Sequence, residues 1–220
     1  MSDRQIQLVI LDCDGVLINH HQGFLLNLYK LRQDMPQDIL SQQKAINHYD
    51  ERYVHYLRQL PELGFCAIQC FCFADVLTHF GLQAQWREML HFARSIGKWP
   101  TFEDAFGALH YLKKFYRVMV RCDREKEDVE YLKQKFQLSP NDILLRDSEP
   151  DQIQRHLRSL GLTDDQAVVV TNPINAQTLT FPHVRVLSRA GSSTKESLAT
   201  LIFEHQENLR GNGIKYALTD

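Results

Sequence analysis

The hydrophobic pattern of this chain begins with a short apolar run, Leu8-Val9-Ile10-Leu11, that ends in Asp12-Cys13-Asp14-Gly15. An unbroken apolar run of this length predicts a strand buried on both faces, as in a parallel sheet. The period then changes. Phe24, Leu25, Leu28 and Leu31 share one helix face, as do Tyr49, Tyr53, Tyr56, Leu57 and Leu60 further on. Pro61 and Gly64 punctuate the pattern. Val76, Leu77 and Phe80 lead to Gly81, which predicts a helix stop. A further helix holds Trp86, Met89, Leu90 and Ala93 and ends near Gly97. No strand pattern interrupts residues 18–97.

Strands return after Trp99-Pro100. Thr101 is expected to cap a helix, with Asp104 three residues on and a buried face of Phe102, Phe106, Leu109 and Leu112. Short apolar runs at Arg117 to Val120, Ile143 to Leu145, Ala167 to Val170 and Val184 to Leu187 predict four more strands. Between them, Val129, Leu132 and Phe136 mark one helix; Ile153, Leu157 and Leu160 mark another, ending at Gly161. Leu198, Leu201, Ile202 and Leu209 suggest a closing helix, after which Gly211-Asn212-Gly213 frees the tail. Strands alternating with helices predict an α/β fold, a Rossmann-like doubly wound parallel sheet with an inserted all-helical cap. The expected division is a core of residues 1–17 and 98–220 and a cap of residues 18–97.

Composition narrows the class. A chain of 220 residues can bury one sizeable core and a small subdomain. With 44% apolar and 24% charged residues it reads as an ordinary globule. A net charge of −2 gives no reason to expect a nucleic-acid or membrane-surface partner. The N-terminal residues lack a signal-peptide pattern, and no apolar run is long enough to span a bilayer. Five cysteines, an odd number, are read as reduced thiols in a cytoplasm. Oligomeric state is not encoded in any of these features.

The candidate chemistry sits where the first strand ends. Ligands of open α/β sheets bind at the carboxyl ends of the strands, which is where Asp12 falls. Gly15 permits the sharp turn that takes the chain out of the sheet. Two close carboxylates are costly unless a cation neutralises them. The residues therefore suggest a nucleophilic Asp12, an acid/base Asp14 and a Mg²⁺ beside them. The bland alternative is a strand ending in a polar turn.

The stretch Leu8 to Leu17 resembles the first motif of the haloacid dehalogenase (HAD) superfamily of phosphatases and dehalogenases. There the first aspartate attacks phosphorus or carbon to form a covalent ester, and in the phosphatases the second protonates the leaving group. The order of strand, helical insertion and α/β remainder is similar over nearly the full length. The block Trp99 to Phe136 looks closest to the phosphoglycolate-phosphatase and 2-haloacid-dehalogenase branches.

The resemblance implies roles for residues further along. Cys122 falls where the second motif has a Ser or Thr hydroxyl, although a thiol is a weak donor. Asp123 beside it adds a charge that Arg121 or Arg124 would offset if aimed inward. The third motif's lysine is missing from Leu145-Arg146-Asp147-Ser148-Glu149-Pro150; Arg146 and Arg155 are the nearest cations, and Arg146 is the candidate replacement. The fourth motif reads Val170-Thr171-Asn172-Pro173-Ile174-Asn175, with Asn172 where a metal-binding Asp is usual and Asn175 at a second acidic position.

The implied site has Asp12, Asp14, Cys122 and Arg146 as catalytic groups, and Gly15, Asp123 and Thr171 against substrate. Asp12, the Asp14 backbone carbonyl and Asn172 would hold a weakly bound Mg²⁺. The implied function is a Mg²⁺-dependent phosphatase of a small phosphorylated metabolite, acting through an aspartyl-phosphate. Two alternatives remain open. One is metal-free hydrolysis of a 2-haloacid, since those enzymes carry a similar Ser-Asn-x-x-Asp run; Asp14 and Val16 depart from their pattern. The other is a catalytically silent HAD fold kept as a binding or regulatory module, because three of the four motifs are altered.

Other groupings read as packing. Cys66, Cys70, Cys72 and His79 lie among Phe65, Ile68, Phe71 and Phe73, which favours buried small residues over a metal cluster. Tyr49, Tyr53 and Tyr56 read as a helix face. His20-His21, where the insertion begins, either faces substrate or is an exposed pair, and exposure is the expectation.

Overall fold

The computed structural model describes residues 6–60, 62–145, 151–189 and 197–211. Five strands form one sheet in the order β3-β2-β1-β4-β5: β1 (Leu8–Asp12), β2 (Arg117–Cys122), β3 (Ile143–Leu145), β4 (Ala167–Thr171) and β5 (Val184–Val186). Every pairing is parallel. All residues of β1 are buried, as its unbroken apolar run requires of the central strand.

Side chains alternate between two cores. Val9, Leu11, Val118, Val120 and Val170 pack on one face with α5 (Ala105–Leu112) and α6 (Lys126–Phe136). Leu8, Ile10, Met119, Leu144 and Val169 pack on the other, against Ile153 and Leu157 of α7 (Gln152–Ser159). Helices thus cover both faces of the sheet. The expected α/β class and parallel sheet are those observed.

Between β1 and α5 the described elements are helical: α1 (His20–Leu31), α2 (Ile39–Gln59), α3 (Phe65–His79) and α4 (Trp86–Arg94). Asn19 caps α1 by accepting from the Gln22 N–H, and Asp38 caps α2 by accepting from Ser41 N–H. The first core runs without a break into this block through Phe24, Tyr49, Phe73, Phe92 and Trp99. Phe24 stacks on Tyr49 at 4.4 Å and Phe73 on Phe92 at 4.8 Å. Gly81 and Gly161 follow α3 and α7 with φ of 74° and 70°, the left-handed stops their positions predict.

Some expectations fail for physical reasons. Thr101 does not cap α5; Asp104 holds that position, and Thr101 instead pairs with Ile18 in an isolated antiparallel bridge. Asn19 N–H donates to Pro100 O at 2.8 Å and Phe102 N–H to Leu17 O at 3.0 Å, so the two chain crossings into the helical block are tied together. Phe106 is 46% exposed; the buried face of α5 is Ala105, Ala108, Leu109 and Leu112. β2 runs on past Val120 because Arg121 and Cys122 still pair with Leu144 and Leu145. The short α8 (Pro173–Ala176) follows β4, and α9 (Leu198–Gly211) closes the described chain. The predicted free tail after Gly211 lies outside the described residues. All five cysteines are free thiols, and no described helix is long and apolar enough to cross a membrane.

Candidate functional site

Parallel register decides what meets at the end of β1. Asp12 lies directly opposite Arg121 on β2, and Leu11 opposite Val170 on β4 places Thr171 level with Asp12 on the other side. Lateral neighbours in a sheet share a face. The Asp12 side chain therefore meets a guanidinium on one side and a hydroxyl on the other.

Among the described residues, the Asp12 carboxylate accepts four hydrogen bonds. Arg121 donates from Nε to Oδ1 at 2.6 Å and from a terminal nitrogen to Oδ2 at 2.9 Å. The Thr171 hydroxyl and the Asn175 side-chain amide also donate to Oδ2, the latter at 2.9 Å. Asp12 is 1% exposed and Arg121 8%. Burial opposes the charge on Arg121, but Asp12 more than offsets it and holds the guanidinium protonated.

Asp14 is paired in the same way. Arg124 donates from Nε at 3.0 Å and from a terminal nitrogen at 2.5 Å, and its other terminal nitrogen donates to Ile96 O at 2.8 Å. The Arg124 side chain is fully enclosed, with its guanidinium 5.6 Å from the Phe65 ring centre. Arg121 and Arg124 do aim inward, with their hydrogen bonds on Asp12 and Asp14, and Asp123 also contributes to holding the charge on Arg121. Asp123 accepts from the Tyr53 hydroxyl at 3.3 Å.

Asn172 holds the turn between β4 and α8. Its Oδ1 accepts from the Ile174 and Asn175 N–H groups, both at 2.9 Å, and its Nδ2 donates to the Asp14 carbonyl at 2.8 Å. Two N–H donors on one side and a carbonyl on the other fix the orientation of the amide. Gly15, with φ of 81°, brings the backbone so close that a Cβ there would lie 2.6 Å from Asn172 Nδ2. The close approach, as well as the turn, demands glycine.

These donors do not fit the expected Mg²⁺. Each of the three expected ligands is already satisfied. Asp12 is held by a cation, the Asp14 carbonyl accepts from an amide, and Asn172 turns its NH₂ toward the place its oxygen would have to occupy. Mg²⁺ needs oxygen ligands in octahedral order, and a guanidinium on Asp12 repels it. The contacts made by Asp12, Asp14 and Asn172 therefore lend no support to these three as metal ligands.

The other expected residues fall as follows. Cys122 is one position past Arg121 and packs with Val118 and Val120 in the apolar cluster, so Arg121 rather than Cys122 stands beside Asp12. Burial pushes the Cys122 thiol up to about 12. It is therefore a protonated thiol at neutral pH. Iodoacetamide at neutral pH should leave Cys122 unmodified in the folded protein and label it after unfolding, as read by mass spectrometry. Rapid labelling of the folded form would show that Cys122 faces an open site. Arg146 lies outside the described residues. Arg155 pairs with Asp151 on its own helix at 2.9 Å. Thr171 is spent on Asp12. Gly15, Asp14, Asn172 and Asn175 do come together at the strand ends.

The cavity beside them is small. It measures about 20 Å³ and is lined by Asp14, Tyr49, Tyr53, Phe65, Asn172 and Ile174, among others. That is room for about one water. Asp12 does not line it. Sequence reasoning did not find the Asp12–Arg121 and Asp14–Arg124 pairs. The available signal was a charged residue ending an otherwise apolar buried strand, which must be paired.

Comparisons with known proteins agree on the fold. An L-2-haloacid dehalogenase from Xanthobacter autotrophicus superposes with a TM-score of 0.61 at 15% identity, over 91% of this chain and 88% of that one. A defluorinating L-2-haloacid dehalogenase gives 0.63 at 13% identity, over 88% and 86%. The protein YfnB from Bacillus subtilis, assigned as a HAD-hydrolase and solved bound to magnesium, gives 0.68 at 10% identity, over 92% and 99%. No protein-family model matches the chain, and no curated protein sequence matches it. The chain has the haloacid dehalogenase fold, as the resemblance of its first motif implied. The similarity extends over almost the whole of each chain, helical insertion included.

Proposed function

We propose that this chain is a HAD-fold protein whose ester-forming centre is closed, and that it serves as a binding or regulatory module rather than a phosphatase. The observation that carries this reading is the two-pronged Arg121 bridge on the buried Asp12, completed by Thr171 and Asn175. A nucleophile needs a free lone pair aimed at substrate. Freeing Asp12 means breaking a buried ion pair, a cost of about 3–5 kcal/mol, or roughly 10²- to 10⁴-fold in rate. Asp14 is likewise held, with Arg124 donating to both of its carboxylate oxygens instead of a leaving group meeting them. The Mg²⁺-dependent phosphatase of a small phosphorylated metabolite, the leading expectation from sequence, lacks a fitting metal site. In this reading residues 18–97 are the cap, and residues 1–17 and 98–220 the core.

A second reading has one specific observation behind it. Thr171 and Asn175 orient Asp12, and the Arg121 cation neutralises it. Metal-free hydrolysis at carbon would use that arrangement. Arg121 would release Oδ1 to hold the anionic end of a 2-haloacid, and Asp12 would displace halide to form an ester that water then cleaves.

The test is a chromogenic phosphate ester with and without Mg²⁺, beside halide release from 2-chloropropionate. Wild type should show no more turnover than Asp12→Asn in either assay. Phosphate release that needs both Mg²⁺ and Asp12 would overturn the closed-centre reading in favour of the phosphatase. Asp12-dependent halide release would establish the second reading.

A further inference from the structure

His20 and His21 open α1, and Asp50 lies in the middle of α2. The two histidines were expected to be exposed. Instead their side chains are only 13% and 12% exposed, and they close on Asp50, which is 27% exposed. His21 Nε2 lies 2.8 Å from Asp50 Oδ1, and His20 Nε2 lies 3.8 Å from the same oxygen. The two ring centres are 4.0 Å apart.

The geometry points to a site for a divalent transition-metal ion of the zinc class on His20, His21 and Asp50, beside the small cavity that His20 lines together with Asp14 and Asn172. One ligand atom from each residue lies within 4.8 Å of the other two. A tetrahedral ion with bonds of about 2.0–2.2 Å spaces its ligands about 3.4 Å apart, and the two nitrogen-to-oxygen distances bracket that value. Two imidazoles and one carboxylate suit Zn²⁺ rather than Mg²⁺, which prefers oxygen.

Charge favours the same assignment. Asp50 supplies an anionic oxygen that a divalent cation would neutralise. Nδ1 of each ring is buried with no hydrogen-bond partner among the described residues, so no second hydrogen bond ties either ring. The cluster borders a cavity of about 210 Å³ whose other walls include Asn19, Phe102, Asn172, Ser188 and Arg189. An ion on three protein ligands would keep its fourth position toward that cavity, for water or the oxygen of a small anion. Arg189 is already paired with Asp104, so it does not neutralise Asp50.

The other cluster of this kind among the described residues is Cys66, Glu125 and Asp128. Burial and Glu125 raise the Cys66 pKa, which keeps it a thiol and a poor ligand. It supplies the control.

Titration calorimetry of the full chain with Zn²⁺ should show one equivalent bound, and titration with Mg²⁺ none. His21→Ala and Asp50→Asn should each weaken Zn²⁺ at least about tenfold, and Cys66→Ser should leave it unchanged. In wild type, where no variant can misfold, the first equivalent of Zn²⁺ should shift the imidazole NMR signals of His20 and His21 and not those of the stacked pair His48 and His79. No heat of binding, unchanged affinity in both variants, loss of binding in Cys66→Ser, or first shifts at His48 and His79 would each overturn the assignment. None of these outcomes depends on whether Asp12 is a nucleophile.

Discussion

Arg121→Ala is expected to destabilise the protein by about 3–5 kcal/mol, because it strands the Asp12 carboxylate in the interior. Asp12 is 1% exposed, and Thr171 and Asn175 are neutral donors that cannot replace a cation. For a chain of this size that loss lowers Tm by roughly 6–20 °C. Asp12→Asn should cost a comparable amount by leaving Arg121 unpaired, so a clean loss of turnover in a normally stable Asp12→Asn protein is not the expected outcome. Replacing both residues together, with Asp12→Leu and Arg121→Met, should recover most of the stability, since a buried ion pair and a well-packed apolar pair are often nearly equivalent. Urea unfolding of the two single variants and the double would test this. A loss below about 1 kcal/mol for Arg121→Ala would place Arg121 in solvent and reopen Asp12 as a nucleophile.

The same pair shows where the sequence stops being legible. Leu8 to Leu11, Ile143 to Leu145 and Ala167 to Val170 are visible as strands because a buried parallel strand needs no partner to be recognised; its composition suffices. Gly81 and Gly161 are visible as helix stops because their left-handed backbone is a local property. Asp12 at a strand end is visible for the same reason. Its partner is not. Arg121 is far away in sequence and meets Asp12 only because β2 pairs with β1 in one register. A family alignment by motif spacing put Cys122 there instead, and one residue of slip exchanges the two faces of a strand. The burial of His20 and His21 is hidden in a similar way, since Asp50 arrives on another helix. Thr101 looked like a cap, but a bridge to Ile18 claimed its backbone. Asn172 is legible as the residue after a buried strand, yet the direction of its amide follows from Ile174, Asn175 and the Asp14 carbonyl.

That fixed amide makes Gly15→Ala the second large expected effect. At Gly15 the backbone has φ of 81°, where a Cβ costs about 1–2 kcal/mol by crowding its own carbonyl. The added methyl would also lie 2.6 Å from Nδ2, 2.8 Å from Cβ and 2.9 Å from Cγ of Asn172. A long, free side chain could move away. Asn172 cannot move without giving up the cap of α8 and its bond to Asp14, so overpacking adds about 1–3 kcal/mol. The sum is a loss of about 2–5 kcal/mol. Gly161 separates the two contributions. Its φ of 70° carries the same strain, but a Cβ there meets nothing within 4 Å. Gly161→Ala should therefore lose only about 1–2 kcal/mol. Urea unfolding of both variants measures the difference, which is the contact with Asn172. Equal losses at Gly15 and Gly161 would mean that Asn172 yields freely. Its amide would then be free to turn its oxygen outward, and the case against a metal beside Asp14 would lose its main support.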